Sequence, residues 1–268
     1  MFESQFEGRH GRVFFRRWDP PEEPRLIVQV VHGYAEHGGR YGHVAAALNE
    51  QGAVVYADDH LGHGRSDGEP ALILDFEHVV DDLHKLATIA RSEHPGLPLV
   101  LVGHSIGGLL SGRFAQRWPS DVAGVAFCGA VLGDWQWARD VLALSELPEV
   151  PYDPAAISRD PAVGESYATD PVVYHGQYKR PLLEAEVAAL DRFQQATDRL
   201  TMPVLLLHGT EDPFVPYERS LQAVREMPTS DLTIHIYEGA RHEVLNETNR
   251  DEVLGHLTSW VETIVGRA

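Results

Sequence analysis

Six short apolar runs recur along the chain: LIVQVV at 26–31, AVVYA at 53–57, PLVLVG at 98–103, VAGVAF at 122–127, PVLLLHG at 203–209 and LTIHIY at 232–237. Apolar residues fill successive positions in most of them rather than every second one. That predicts strands buried on both faces, and so a mainly parallel sheet wrapped by helices, an α/β fold. Between the runs the period becomes helical. Phe76, Val79, Val80, Leu83, Leu86, Ala87 and Ala90 fall on one stripe, and Val253, Leu254, Leu257, Val261, Ile264 and Val265 on another, which predicts helices facing a core.

The runs are evenly spaced except between VAGVAF and PVLLLHG, where about 75 residues replace a crossover of a few turns. This segment contains Pro148, Pro151, Pro154, Pro161, Pro171 and Pro181. It opens on an amphipathic stretch with Trp135, Trp137, Val141, Leu142, Leu144 and Leu147. Such a composition favours a small helical cap over more strands. The expected organisation is a core over 1–132 and 201–268 with a cap inserted over 133–200. No internal repeat or low-complexity tract breaks it.

Charge narrows the partners. Lys and Arg total 22 against 40 Asp and Glu, a formal charge of −18, which repels phosphate backbones and anionic lipid head groups, so nucleic acid is not an expected partner. No apolar run approaches the roughly 18 residues of a membrane span. The opening MFESQFEGRHGRVFFRRW has no basic region followed by an apolar one, so the cytoplasm is the expected location. The lone cysteine, Cys128, lies among small apolar residues and reads as a buried thiol rather than a nucleophile.

The third run leads directly into Gly103-His104-Ser105-Ile106-Gly107. In a G-x-S-x-G sequence a strand reverses sharply into a helix, presenting the serine, while the glycines let strand and helix approach closely. Leu109, Leu110, Phe114 and Ala115 continue as a helix, which gives this short pattern its weight. A serine hydroxyl needs a base to become a nucleophile, and the base needs a carboxylate to fix its tautomer. In folds of this kind the order is serine, acid, histidine, with both partners on loops after later strands. Asp212 follows PVLLLHG and His242 follows LTIHIY, which makes Ser105, Asp212 and His242 the expected catalytic set. Glu211 is a rival acid; Asp212 is preferred because its shorter arm before Pro213 suits a strand end. His208 and His235 lie within strands and read as packing or surface residues, and His175 and His256 lie off the expected loop. The oxyanion hole is expected from the N–H groups of Ile106 and Tyr34, each such donor lowering the barrier by about 2.7–4 kcal/mol.

Four segments now coincide: HGYAEHGGRY (32–41), DDHLGHGRSDG (58–68), GHSIGG (103–108) and the late pair GTEDPFVP and EGARHEVLNE. Together they resemble the monoacylglycerol lipase family of α/β-hydrolases, particularly its bacterial members, over nearly the whole chain, AISRDPAVGESYATDP (156–171) included. The resemblance implies a mainly parallel eight-stranded sheet, a cap over the active site, and hydrolysis of fatty-acid monoesters of glycerol with no cofactor and no metal. It also places Glu36 and Arg40 near the glycerol end, as substrate-binding residues, although a pair four residues apart also suits bracing of a loop. Tyr34, Ala35 and Ile106 depart from the family's usual residues in ways that preserve backbone donation but reshape the acyl channel. The cluster Asp58, Asp59, His60, His63 and Asp67 has the donors of a metal site; the resemblance makes it a tight structural loop.

The leading expectation is therefore a serine esterase acting on a small lipid ester, with transient contact to a membrane or micelle through the cap. The alternatives are a carboxylesterase or lysophospholipase with the same catalytic set, an acyltransferase or perhydrolase in which another nucleophile meets the acyl-enzyme, and a non-catalytic receptor on the same scaffold.

Overall fold

All six apolar runs are strands of one sheet, which has two further strands at its N-terminal edge. The structure is a computed structural model that describes residues 1–150 and 153–266, so Pro151 of the inserted segment lies outside the described residues. The strands are β1 (Phe2–Glu7), β2 (Arg12–Trp18), β3 (Leu26–Val31), β4 (Ala53–Asp58), β5 (Leu99–His104), β6 (Gly124–Cys128), β7 (Val204–Gly209) and β8 (Leu232–Tyr237). Their order is β1-β2-β4-β3-β5-β6-β7-β8. β2 runs antiparallel to β1 and to β4, and every pairing from β4 onward to β8 is parallel. The chain is thus an α/β-hydrolase fold with a mostly parallel eight-stranded sheet.

Helices cover both faces: α1 (Gly42–Glu50), α2 (Phe76–Glu93), α3 (Ile106–Arg117), α7 (Tyr217–Arg225) and α8 (Arg250–Val265). Between β6 and β7 lie three more, α4 (Gln136–Leu142), α5 (Pro161–Thr169) and α6 (Arg180–Gln194), a helical insertion as the prolines and amphipathic opening predicted. Pro161 and Pro181 sit in the first turns of α5 and α6, where a missing N–H costs nothing. Asp75 caps α2 by accepting from the N–H of Glu77 at 3.0 Å.

The continuous apolar strands serve two cores. Ile27 and Val31 of β3 join α2 and α3 on one face, with Leu83, Leu86 and Phe114. Leu26, Val28 and Val30 join α1 and α8 on the other, with Leu48, Leu257 and Val261. A side chain of this size contributes about 1.5–3 kcal/mol when fully buried. The first predicted helical stripe is wholly buried in α2, whereas Leu254 and Val265 of the last are only partly buried against the α8 core.

The turn from β5 into α3 is the tightest place in this scaffold. A Cβ on Gly107 would collide with the Val31 carbonyl, and one on Gly103 with the Gly107 carbonyl. Gly107→Ala should therefore fail to accumulate as folded protein or lose several kcal/mol of stability, a large effect for one methyl group. In the loop after β3, Ala35 sits at φ 66°, where glycine is the unstrained residue. Ala35→Gly is expected to lie within about 1 kcal/mol of wild type, because relief of strain opposes the added freedom of the unfolded chain. Denaturant melts of the two variants check both outcomes.

Candidate active site

β5 delivers Ser105 to the sheet's carboxyl edge with φ 54° and ψ −123°, a conformation a non-glycine residue occupies only when its surroundings enforce it. The Ser105 N–H donates to the Cys128 carbonyl at 3.1 Å, and the same carbonyl accepts from His104 Nδ1 at 3.0 Å. Ile106 opens α3 immediately after the serine, so its N–H belongs to the first turn, where no intrahelical acceptor exists. Cys128 is wholly buried, and burial pushes its thiol up to about 12, away from any nucleophilic role.

Asp212 lies three residues beyond β7, its carboxylate almost fully used. Oδ1 accepts from the N–H groups of Phe214 at 2.9 Å and Val215 at 3.0 Å. Oδ2 accepts from His242 Nδ1 at 2.8 Å and faces His208 Nε2 at 3.2 Å. Burial works against ionisation, but the imidazole of His242 and the bond from His208 outweigh it and hold this carboxyl below the usual carboxylate range. Glu211 is exposed. Burial likewise disfavours a charged His242, yet Asp212 prevails and its pKa is raised above the ordinary histidine value. With Nδ1 donating to Asp212, Nε2 is the basic nitrogen. The ring is fixed between His104 and Phe214, at centroid separations of 4.7 and 5.1 Å.

Glu36 and Arg40 belong to a buried ionic cluster. Glu36 Oε1 accepts from the N–H of Gly33 at 2.7 Å and the hydroxyl of Tyr41 at 2.6 Å, and Oε2 accepts from Arg40 at 2.6 Å. Arg40 also makes a bidentate pair with Glu243, at 2.6 and 2.8 Å. Its guanidinium lies 4.8 Å from the ring centre of Tyr167. Burial opposes the charge on Glu36, but Arg40 and the hydrogen bonds bring its pKa down to about 2. One guanidinium thus ties the loop carrying Tyr34 to the loop carrying His242.

Ser105, His242, Tyr34, Ile106 and Glu36 all line one cavity. Asp212 stands behind His242, and Arg40 behind Glu36. Four wall or support residues were not singled out from the sequence for this site: Glu243, Glu186, His208 and His175. His208 read as a packing residue, yet it faces Asp212. His175 lay off the expected loop, yet it lines the cavity beneath the insertion. The acidic loop after β4 is engaged internally. Asp59 accepts from Arg16 at 2.5 Å and from the N–H groups of Gly38 and Arg65 at 2.9 Å each. Asp58 pairs with His60 at 2.9 Å, and Asp67 with Arg12 at 3.1 Å.

Comparison with known proteins agrees with this fold. The family described as "Serine aminopeptidase, S33" matches residues 22–249. A monoacylglycerol lipase of Mycolicibacterium smegmatis is 36% identical over 269 residues, covering 97% of this chain and 96% of that protein. The crystal structure of Paleococcus ferrophilus monoacylglycerol lipase superposes with a TM-score of 0.80 at 29% identity, covering 94% of this chain and 99% of the other. A thermostable carboxyl esterase from Bacillus coagulans, in complex with glycerol, superposes with a TM-score of 0.85 at 25% identity over 98% of both chains. The chain belongs to this family, as a serine-hydrolase-type α/β-hydrolase related to the monoacylglycerol lipases.

Proposed function

We propose that this protein hydrolyses esters joining an acyl chain to a small polar alcohol, monoacylglycerols foremost, through an acyl-enzyme on Ser105. The observation that carries the reading is that His242, oriented by Asp212 at 2.8 Å, lines the same cavity as the strained Ser105. Ser105 Oγ attacks the acyl carbonyl while His242 Nε2 takes its proton. The N–H groups of Tyr34 and Ile106 hold the oxyanion, and His242 returns the proton to the departing alcohol. Water then attacks the acyl-enzyme, giving its proton to His242, and the fatty acid leaves as Ser105 is reprotonated.

The shape of the site favours a monoester. The lining includes polar side chains, Glu36, Glu243 and His175, suited to a hydroxylated alcohol, and apolar ones, Ile106, Val131, Trp135 and Phe214, suited to an acyl chain. We assign 133–200 as the cap. Trp137 and Leu144, exposed on and just after α4, are the side chains through which contact with a micelle or membrane is proposed. Among the described residues no helix is long and apolar enough to cross a membrane. Glu36 reaches the alcohol side directly, and Arg40 acts through Glu36 and Glu243.

Wild type should release glycerol from a series of 1-monoacylglycerols faster than glycerophosphocholine from lysophosphatidylcholine, and Ser105→Ala should release neither. Glycerol absent at every chain length, beside rapid turnover of other esters, would leave a carboxylesterase. Failure of a fluorophosphonate to label wild type at Ser105 would leave a receptor.

Because the base must be neutral and its pKa is raised, kcat/KM should fall with decreasing pH through a value above the ordinary histidine figure of about 6.5. Asp212→Asn removes the cause of that rise, so the acid limb should move to lower pH while kcat drops by about 10⁴. A limb that does not move assigns the titration to another group.

Arg40→Ala leaves two buried carboxylates without their cation and should cost about 3–5 kcal/mol in urea unfolding. With Arg40 present, Glu36 is depressed, so its share of stability is complete above the ordinary carboxylate pKa and lost as pH falls toward about 2. A loss under 1 kcal/mol for Arg40→Ala would remove the brace.

A further inference from the structure

One acid in the cavity wall has no part in the reaction above. Glu186 lies on the buried side of α6, among Leu182, Leu183, Ala189, Leu190 and Phe193. It is 1% exposed, lines the same cavity as Ser105, and its Oε1 is buried with no hydrogen-bond partner among the described residues. A leucine at this helical position would pack without the cost of desolvating a carboxyl group. No cation among the described residues offsets that cost. Burial pushes the group up to about 8, so near neutral pH it carries a proton and can both donate and accept.

A second polar atom in the same wall is also unsatisfied. The hydroxyl of Tyr34 is buried without a hydrogen-bond partner among the described residues. The Tyr34 ring is held by stacking on Tyr178 of the insertion, at 4.7 Å and 13°, rather than by any bond to its hydroxyl. Burial, with Tyr178, Tyr174 and Glu186 adding to it, keeps this phenol protonated. Buried polar groups nearly always find a partner, and two orphans in one chamber point to something that completes them.

The position of Glu186 selects the side of the substrate. α6 packs against α3, the helix that starts at Ile106, and against α4. Glu186 is therefore carried by a helix that packs beside the elements bearing Ile106 and Trp135, whereas Glu36 and Glu243 are held together on loops of the core by Arg40. A hydroxyl group fits a neutral acid and a phenol, since it offers one donor and two acceptor sites. A hydroxyl needs no counter-charge beside Trp135, Val131 and Ile106, whereas a second carboxylate would find no cation at Glu186 among the described residues.

We propose that Glu186 and Tyr34 form a hydrogen-bonding station in the acyl chamber that recognises a hydroxyl carried on the acyl chain, so that hydroxyacyl esters are preferred over unsubstituted ones. This rests on the ester hydrolase reading, with the Ile106 wall taken as the acyl side. The test is calorimetric binding of methyl decanoate, and of methyl decanoates with a hydroxyl walked along the chain, to the full-length Ser105→Ala protein, which cannot turn them over.

One hydroxyl position should bind about tenfold or more tightly than the plain ester, the effect of one well-placed hydrogen bond. Adding Glu186→Leu should erase that difference while the plain ester binds as well or better. Glu186→Gln, which keeps a donor and an acceptor, should retain most of it, and Tyr34→Phe should lose part. A merely structural glutamate would instead weaken plain and hydroxylated esters alike. That result, or no hydroxyl position that binds more tightly, overturns the station; if Glu186→Leu does not fold, the Gln and Phe variants still decide. Wild type is assayed in parallel with p-nitrophenyl acetate. Loss of that activity overturns the ester hydrolase reading, whereas turnover without hydroxyl preference overturns the station alone.

Discussion

Three backbones share one volume where β5 turns into α3. The Gly107 Cα lies against the Val31 and His32 carbonyls at the end of β3, and Gly103 lies against Gly107 itself. No residue with a Cβ fits either place, and that closeness holds Ser105, a residue of the cavity lining, at positive φ. The same contact brings the end of β3 beside the nucleophile, so the loop from His32 to Glu36 begins at the serine's side. The two expected oxyanion donors, on Tyr34 and Ile106, therefore come from segments whose separation is set by glycine contacts rather than by any side chain. Sites built this way keep their donors in place without reorganisation during reaction, the condition under which such hydrogen bonds stabilise a transition state most.

Electrostatics divides the cavity along the same line. Glu36 and Glu186 are the same residue type, equally buried, and line one chamber, yet their acidities move in opposite directions. Glu36 has Arg40, Tyr41 and the Gly33 N–H and is brought down to about 2, whereas Glu186 has no cation and rises to about 8. Desolvation is common to both; the partner decides the sign. The chamber is anionic at the end where Arg40 joins two loops and neutral where the insertion closes over it.

How much of this the sequence disclosed follows from how local each signal is. The inner strands β3 to β7 were legible because burial on both faces leaves an unbroken apolar run, and β8, half-buried at the sheet's edge, still carries an apolar residue at every second position. β1 and β2 were not, because FESQFE is largely exposed and RVFFRRW hides a buried Arg16 whose compensation, Asp59, lies 43 residues away. Ser105, Asp212 and His242 were legible as positions at strand ends, and the hydrogen bond between the last two bears on geometry that no spacing could give. His208 looked like a strand residue because its contact with Asp212 depends on how the loop after β7 folds back. Arg40 and Glu36 were legible as a pair, but Glu243, which turns the pair into a link between loops, lies about two hundred residues further on. Glu186 is one of 40 acidic residues, and what sets it apart is burial with an oxygen that has no partner among the described residues.

The insertion meets the core by two kinds of contact, and the difference bears on what can vary. Around the polar end the contacts are directional. The Tyr174 N–H donates to the Ala35 carbonyl at 2.8 Å, the Glu243 N–H to the Ile157 carbonyl at 2.8 Å, and His37 pairs with Asp170 at 3.0 Å. These bonds fasten to the loops beside Tyr34 and His242, so a shift there would move the reacting groups. At the other end Tyr178 stacks on Tyr34 of the core, and behind it, within the insertion, Trp137 packs on Tyr178 and Trp135 against Trp137. Packing of that kind tolerates changes of shape that conserve volume, whereas buried hydrogen bonds do not tolerate loss of a partner. Substrate length and substitution can therefore change through α4 and α6 while the carboxyl edge of the sheet, and the chemistry fixed there, stays the same.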